Sequence, residues 1–113
     1  MDKDEVLAIQ LQEIRRGSVV VACLLRLEQP GYGYELLVQL NESGFSVEGN
    51  TLYPLLRRLE DQGLLTSTWD TTESRPRKFY RTSKLGREVC NAMLDEIDSL
   101  NNSFAQLKKA SMS

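Results

Sequence analysis

The most informative stretch of this 113-residue chain, residues 49–70, reads GNTLYPLLRRLEDQGLLTSTWD. Four of its leucines recur at i, i+3, i+4 and i+7 and form one helical stripe: Leu52, Leu55, Leu56 and Leu59. An apolar stripe of this kind has to be buried against other elements of the fold. Gly63 is typical of a helix end, and the run rich in Leu, Thr and Trp that follows it predicts a strand.

The opposite face of this predicted helix is polar and basic. At about 100° per residue, the side chains that point outward are Asn50, Pro54, Arg57, Arg58 and Asp61. Thr51 and Tyr53 lie on the flanks of this face. Two arginines, hydrogen-bonding groups and an aromatic ring suit a helix that lies in a groove of duplex DNA. The alternative is that both arginines are solvated surface charges, and the helix alone does not decide between the two.

Length and charge narrow the class of protein. The chain is long enough for one domain with a modest core, and its 41% hydrophobic content argues against wholesale disorder. A net charge of -2 argues against a general polycation, yet residues 75–87 hold six basic side chains and no acidic one. Such a local cluster suits a nucleic-acid partner, with a solvated loop as the alternative.

Other classes find little support. No apolar run approaches the roughly 18 residues of a membrane span, and the acidic start does not resemble a signal peptide, so a cytoplasmic protein without a membrane partner is expected. Cys23 and Cys90 are expected to be buried, reduced thiols.

With no histidine and only two cysteines, neither a metal site nor any other cofactor is predicted. No catalytic constellation is present, so an enzyme is not expected.

The pattern along the chain predicts a mostly helical α+β fold. Helices are predicted at residues 5–28, 34–43, 49–62 and 83–110, a turn at 30–33, and strands at 64–70 and 77–82 around a polar turn. Pro54 fits the first turn of a helix that begins near Asn50. Three helices followed by two strands with a basic loop predict a winged helix-turn-helix domain over residues 1–82. Residues 83–113 then form a C-terminal dimerisation helix within one compact unit.

The last helix carries a heptad-like seam with 3-4-3-4-3 spacing: Cys90, Met93, Ile97, Leu100, Phe104 and Leu107. The alternative to a partner helix is packing on the chain's own domain, and part of the seam is expected to pack on the first helix. A seam that continues to Leu107 needs more apolar surface than one small domain offers, so a homodimer is predicted. Its symmetry requires two half-sites separated by one or more helical turns, roughly 34–36 Å each.

Four segments resemble the PadR-type transcriptional regulators, within them the compact class with a single C-terminal helix. They are RRGSVVVACLLRL at 15–27, YGYELL at 32–37, NTLYPLLRRLEDQGLL at 50–65 and RPRKFYRTSKLGRE at 75–88. The resemblance implies a homodimeric winged-helix protein that binds double-stranded DNA, usually as a repressor. Some relatives bind flat aromatic compounds between their subunits.

The chain departs from the family pattern at three places. Glu73 and Ser74 stand where wing-tip glycines are common, Thr82 stands where leucine is usual, and Ile97 matches a ligand-stacking tryptophan of one relative. A large aromatic pocket is therefore not implied. A small hydrophobic or aromatic effector is still hypothesised, in a cavity between the first and last helices.

The remaining predictions of DNA-contacting residues follow from the predicted winged-helix fold. In the third helix, Thr51, Tyr53 and Arg57 are predicted to bond base edges and phosphates, whereas Arg58 reaches a phosphate or pairs with an acid such as Glu60 or Asp61.

In the second helix and the wing, Tyr34 is predicted to lie near a phosphate strand, and one of Tyr32 and Tyr34 is expected in the core. The predicted wing contacts to phosphate or the minor groove are Arg75, Arg77 and Lys78. Phe79 and Tyr80 should face opposite sides of their strand. Trp69 is predicted to pack rather than to stack on a ligand.

Two other functions stay open. The net acidity and the wing without glycines slightly favour a protein-interaction module that keeps the winged-helix scaffold but no longer binds DNA. A redox-sensing regulator that works through Cys23 or Cys90 is a variant of the DNA-binding hypothesis.

Overall fold

Four helices and three short strands form residues 1–112, the part of the chain that the computed structural model describes. Their order is α1 (Lys3–Arg26), β1 (Gly31–Tyr32), α2 (Gly33–Glu42), α3 (Gly49–Asp61), β2 (Leu65–Asp70), β3 (Arg77–Thr82) and α4 (Lys84–Ser111). The predicted mostly helical α+β architecture is confirmed. Helix α1 begins two residues earlier than predicted because the Asp2 side chain caps it, accepting a hydrogen bond from the Glu5 amide at 2.9 Å.

Strand β1 was not predicted, because the segment PGYG reads as a simple turn. Gly31 and Tyr32 instead pair antiparallel with β3, opposite Tyr80 and Phe79, so the sheet order is β1-β3-β2. Two residues are too few to show the alternation that marks a strand, and the partner lies more than 40 positions away. The winged hairpin therefore has a third strand at its base.

Two glycines end helices α2 and α3 as predicted. Gly44 and Gly63 have positive φ, 95° and 81°. In each case the next amide bonds back to a carbonyl five residues earlier: Phe45 to Leu40 and Leu64 to Leu59, both at 2.9 Å. This is the Schellman arrangement, and it uses the Leu64 amide. For that reason β2 begins at Leu65, one residue later than predicted.

Pro54 does not lie in the first helical turn, which corrects the prediction. Helix α3 begins at Gly49, so Pro54 is its sixth residue. The missing amide hydrogen leaves the Asn50 carbonyl without a helical partner. Both residues are exposed, so solvent can satisfy that carbonyl and the proline is tolerated.

The leucine stripe of α3 forms the centre of the core, with Leu52 and Leu56 fully buried. It packs with buried side chains of α1 and its C-cap, of α2 and of β2: Cys23, Leu24, Leu27, Leu36, Leu40 and Leu65. The expected burial of Cys23 and Cys90 is confirmed. Burial raises the pKa of the Cys23 thiol to about 12, so this thiol stays protonated and unreactive at neutral pH.

Thr82, where the family usually has leucine, is also buried. Its hydroxyl donates to the Leu24 carbonyl at 2.7 Å, and its amide donates to the Leu27 carbonyl at 2.8 Å. The hydroxyl therefore joins the end of β3 to the end of α1, and the core keeps no unsatisfied group at this position.

Helix α4 starts in close contact with the backbone that follows α3. Ser83 caps it, accepting from the Gly86 amide at 3.0 Å and donating to the Gly63 carbonyl at 2.6 Å. A Cβ atom on Gly86 would lie 2.1 Å from the Leu64 carbonyl oxygen. Only glycine allows this approach.

The seam of α4 divides into a buried and an exposed part. Cys90 is 3% exposed, with its Sγ 4.0 Å from the Val21 carbonyl oxygen. Cys90 thus belongs to the core of the single chain, which corrects its assignment to a dimer interface. Met93 packs partly on the same core. Exposure then rises along the helix: Ile97 37%, Leu100 45%, Phe104 61% and Leu107 69%.

The first half of α1 likewise exposes apolar side chains: Val6, Leu7, Ile9 and Ile14. Together the two helices give the described chain an elongated shape of 64 × 34 × 22 Å. None of the described helices is long and apolar enough to cross a membrane. The division at residue 82 stays a prediction.

Candidate nucleic-acid interface

The outward face of α3 is open to solvent. Its polar and basic side chains are exposed, as the sequence predicts: Asn50, Thr51, Tyr53, Pro54, Arg57, Arg58 and Asp61. Within residues 1–112, neither Arg57 nor Arg58 makes an ion pair. The pairing of Arg58 with Glu60 or Asp61 that the sequence allowed is therefore not seen, and both guanidinium groups are available to a ligand.

Tyr53 joins the starts of α3 and α2. Its ring packs over two glycines, and a Cβ atom on Gly33 would lie 2.7 Å from the ring carbon Cε1. A Cβ on Gly49 would lie 3.3 Å from Cε2. The ring is nonetheless 40% exposed, so packing fixes the orientation of Tyr53 while part of the ring remains on the surface.

The two tyrosines at the start of α2 differ in exposure, but neither lies in the core, which corrects the expectation that one of them would. Tyr34 is 70% exposed, which places it on the surface beside the first turn of the helix. Tyr32 is half-buried on the outer face of the sheet. Its amide donates to the Glu35 carboxylate at 3.1 Å, so this acid already satisfies a backbone donor at the helix start.

A polar bridge on the inner face of the hairpin connects the wing to α3. The Lys78 Nζ atom lies 2.9 Å from the Glu60 carboxylate, and the Ser67 hydroxyl donates to the same carboxylate. The Ser67 hydrogen bond and then the Lys78 bond lower the pKa of Glu60. The Glu60 bond raises the pKa of Lys78. The Lys78 amine, predicted as a DNA contact, is thus engaged with α3 in the free protein.

A second cluster occupies the outer face of the sheet. The Tyr32 hydroxyl donates to the Asp70 carboxylate at 2.6 Å, and the centres of the Tyr32 and Phe79 rings are 4.2 Å apart. The Arg77 guanidinium carbon lies 3.6 Å from the centre of the Tyr32 ring. Bonds from Tyr32 and then Thr72 lower the pKa of Asp70 to about 2. The bond to Asp70 raises the pKa of Tyr32.

The rest of the wing follows the prediction in part. Arg75 and Arg77 are exposed, and Phe79 and Tyr80 lie on opposite faces of β3 with Tyr80 buried. Trp69 is 63% exposed, so the packing role predicted for it is wrong. It lies near the end of β2, with the Lys78 Nζ atom 6.0 Å from its ring centre.

Sequence reasoning missed some side chains next to α3. Arg15 and Arg16 of α1 line a groove of about 570 Å³ together with Thr51, Pro54 and Arg58. The adjacent arginines at 15–16 are a weak signal for such a surface. Nothing in the sequence indicates the Tyr32–Asp70 bond, because the two residues are 38 positions apart.

A different groove, about 530 Å³ and mostly apolar, lies between α1, α2 and α4. Its apolar lining includes Leu25, Leu40, Phe45, Leu94 and Ile97. It is the nearest counterpart of the cavity that the sequence predicted for an effector. In the described part of the chain, no three metal-ligating side chains gather in one place.

Known proteins similar to this chain include transcriptional regulators, which agrees with an exposed basic helix and wing. Residues 21–92 match the profile of the transcriptional regulator PadR-like family. Transcriptional regulator Rv3488 of Mycobacterium tuberculosis is 41% identical over 78 residues, which cover 68% of this chain and 73% of that protein.

Two solved structures are also similar. A PadR family transcriptional regulator from Eggerthella lenta has a TM-score of 0.87 and 42% identity, over 92% of this chain and 93% of that one. A PadR-like transcriptional regulator from Bacillus cereus has a TM-score of 0.73 and 26% identity, over 84% and 95%.

Proposed function

This chain belongs to the PadR-like family of transcriptional regulators, and from that premise we propose that it is a homodimeric repressor of a palindromic operator. Members of the family are transcriptional regulators, not enzymes. The observation that carries the proposal is the open basic face of α3, whose arginines have no ion-pair partner in residues 1–112. Its DNA partner implies that the protein works in the cytoplasm.

In the proposed complex, α3 enters the major groove. Thr51, Tyr53 and Arg57 contact base edges and phosphates, and Asn50, Pro54 and Arg58 line the same face. Arg57 is the strongest candidate for reading a base, because a guanidinium can donate two parallel hydrogen bonds to guanine.

The wing and the start of α2 contact the DNA backbone on either side of this groove. Arg75 and Arg77 reach a phosphate or the minor groove, and Tyr34 reaches a phosphate strand. Lys78 holds the wing to α3 through Glu60 and contacts DNA only if that ion pair opens. The bridge sets the distance between helix and wing, which must match the width of the duplex.

The proposed dimer covers the exposed apolar surface of α4 and the first half of α1. Ile97, Leu100, Phe104 and Leu107 lie on one side of α4, and single soluble chains rarely leave such a contiguous patch open. Fully burying one such side chain stabilises by roughly 1.5–3 kcal/mol. A twofold dimer presents two α3 helices, which requires a palindromic operator.

Repression and its release complete the proposal. A dimer on a promoter blocks access of the polymerase by occupying the DNA. A small hydrophobic or aromatic effector would bind in the groove between α1, α2 and α4 and change the angle between the two α3 helices. The apolar lining of the groove and its position between these helices support this step.

A salt series tests the central claim and separates it from a protein-interaction module. The probe is the duplex upstream of the chain's own gene, narrowed by footprinting to the protected palindrome. We expect log K to fall linearly with log salt concentration, with a slope near -0.9 for each phosphate contacted. The matched control is Arg87→Ala, because Arg87 pairs with Glu28 in the turn after α1 and not with α3 or the wing. Absence of protection, or a flat salt response, would favour the interaction module.

A further inference from the structure

The outer face of the sheet carries a cluster that links both edge strands to one wing arginine. We propose that Tyr32 and Asp70 are positioning residues for Arg77, holding its guanidinium ready for a DNA phosphate. The inference rests on the proposed function and adds two residues to it. Neither residue is expected to touch DNA.

The sheet register brings these side chains together. Tyr32 on β1 is opposite Phe79 on β3, and Asp70 on β2 is opposite Arg77 on β3. Phe79 and Arg77 are two residues apart on one strand, so they project from the same face. The Tyr32 ring therefore lies across the central strand, and its hydroxyl reaches Asp70 on the far edge at 2.6 Å.

This bond places the ring under the guanidinium. The Arg77 guanidinium carbon is 3.6 Å from the ring centre, a distance typical of a cation–π contact. Stacking uses the flat face of the guanidinium and leaves the donors at its edge for an anion. A stacked arginine loses less side-chain freedom when it binds a phosphate than a freely moving one.

The other bonds of Asp70 keep its carboxylate from capturing the arginine. Asp70 accepts from the Tyr32 hydroxyl at 2.6 Å and from the Thr72 amide and hydroxyl at 3.0 and 2.7 Å. Three donors occupy most of its lone pairs. No Asp70–Arg77 ion pair forms within the described residues, although the two are opposite each other in the sheet. The carboxylate thus anchors the tyrosine without forming an ion pair with Arg77, whose nearby charge also helps to lower the pKa of Asp70.

A double-mutant cycle tests the inference. Operator affinity is measured across a salt series for the wild-type chain, Arg77→Ala, Tyr32→Ala and the double variant. If Tyr32 acts through Arg77, Arg77→Ala lowers the salt slope by about 0.9, Tyr32→Ala lowers it by part of that amount, and the double variant loses no more affinity than Arg77→Ala alone. Tyr32→Phe keeps the ring and loses the anchor, so its smaller loss should also vanish in the Arg77→Ala background.

A purely structural role of Tyr32 gives a different result. The fold losses in affinity of Tyr32→Ala and Arg77→Ala would then multiply in the double variant, and the salt slope of Tyr32→Ala would match that of the wild type. Either result overturns this inference but leaves the proposed function unaffected. Thermal unfolding reports whether Tyr32→Ala folds, and if it does not, Tyr32→Phe decides in the same way. A wild-type chain without salt-dependent duplex binding would overturn both the proposed function and this inference.

Discussion

Arg57 and Glu60 lie nearly one turn apart on α3, yet their surroundings are opposite. Glu60 accepts hydrogen bonds from Ser67 and Lys78, whereas Arg57 has no ion-pair partner in residues 1–112. Arg57 is also close enough to Lys78 to oppose its protonation. Glu60 neutralises Lys78 but forms no ion pair with Arg57 within residues 1–112, so the Arg57 guanidinium is left open to an anionic ligand.

Substitution Arg57→Ala should weaken operator binding by about 1–3 kcal/mol if the guanidinium reads a base. Discrimination at one base pair of each half-site should relax, because the other contacts remain. Competition with operators that carry single base-pair changes measures both effects. A uniform loss over all competitor sequences would assign Arg57 to a phosphate instead.

Asp70 makes the stability of the wing depend on pH. Its folded-state pKa is lowered from 3.8 to about 2, so its contribution is fully present above the unfolded value and is lost as pH falls through about 2. Asp70→Asn should therefore be less stable than the wild type at pH 7, and the difference should shrink between pH 5 and pH 2 (a window set by these two values). Urea unfolding at several pH values measures it. A difference that stays constant with pH would contradict the assigned anchor.

At the scale of helices and strands, the sequence pattern predicted those features that depend on residues close together in the chain. The leucine spacing predicted the buried face of α3, and Gly44 and Gly63 predicted the ends of α2 and α3, because both depend on residues within one or two turns. Strand β1 escaped prediction because only its pairing with β3 makes two residues a strand. Cys90 was assigned to the wrong surface because spacing defines a helical stripe but not which neighbour covers it.

The same limit applies to the candidate site. The exposed arginines of α3 and the wing follow from periodicity and charge, so the sequence was enough to find them. The bonds Glu60–Lys78 and Tyr32–Asp70 join residues 18 and 38 positions apart. The packing of α3 on the hairpin sets the first pairing, and the sheet register sets the second. No periodic pattern carries that information.

The bridge between α3 and the wing leads to a prediction about Lys78. If Lys78 positions the wing through Glu60, Lys78→Met should weaken operator binding with little change in salt slope, and Glu60→Gln should have a similar effect. If Lys78 instead contacts a phosphate, Lys78→Met should lower the slope by about 0.9, and Glu60→Gln should strengthen binding by freeing the amine. Stability should fall by no more than about 1 kcal/mol, since the pair is partly exposed. Salt series on the two variants distinguish these outcomes.

At the scale of the whole molecule, exposure along α4 follows its distance from the domain. The helix begins in the core at Gly86 and Cys90, and its apolar side chains become steadily more exposed from Ile97 to Leu107. The matched profile of residues 21–92 leaves out most of this projecting part and the first half of α1. We therefore expect the proposed dimer to bury the apolar side chains of these two segments, which a single chain leaves exposed.

Substitution Ile97→Asp tests the dimer with little risk to the fold, because Ile97 is already 37% exposed in the single chain. A charge at this point of a buried seam would cost several kcal/mol and should give monomers in sedimentation experiments. Affinity for the full palindrome should then fall to near that for one half-site, since the two α3 helices no longer bind as a linked pair. Asn102→Asp is the control, because it adds the same charge at an exposed position away from the seam. If the Ile97→Asp chain still sediments as a dimer, the two copies meet through a different surface.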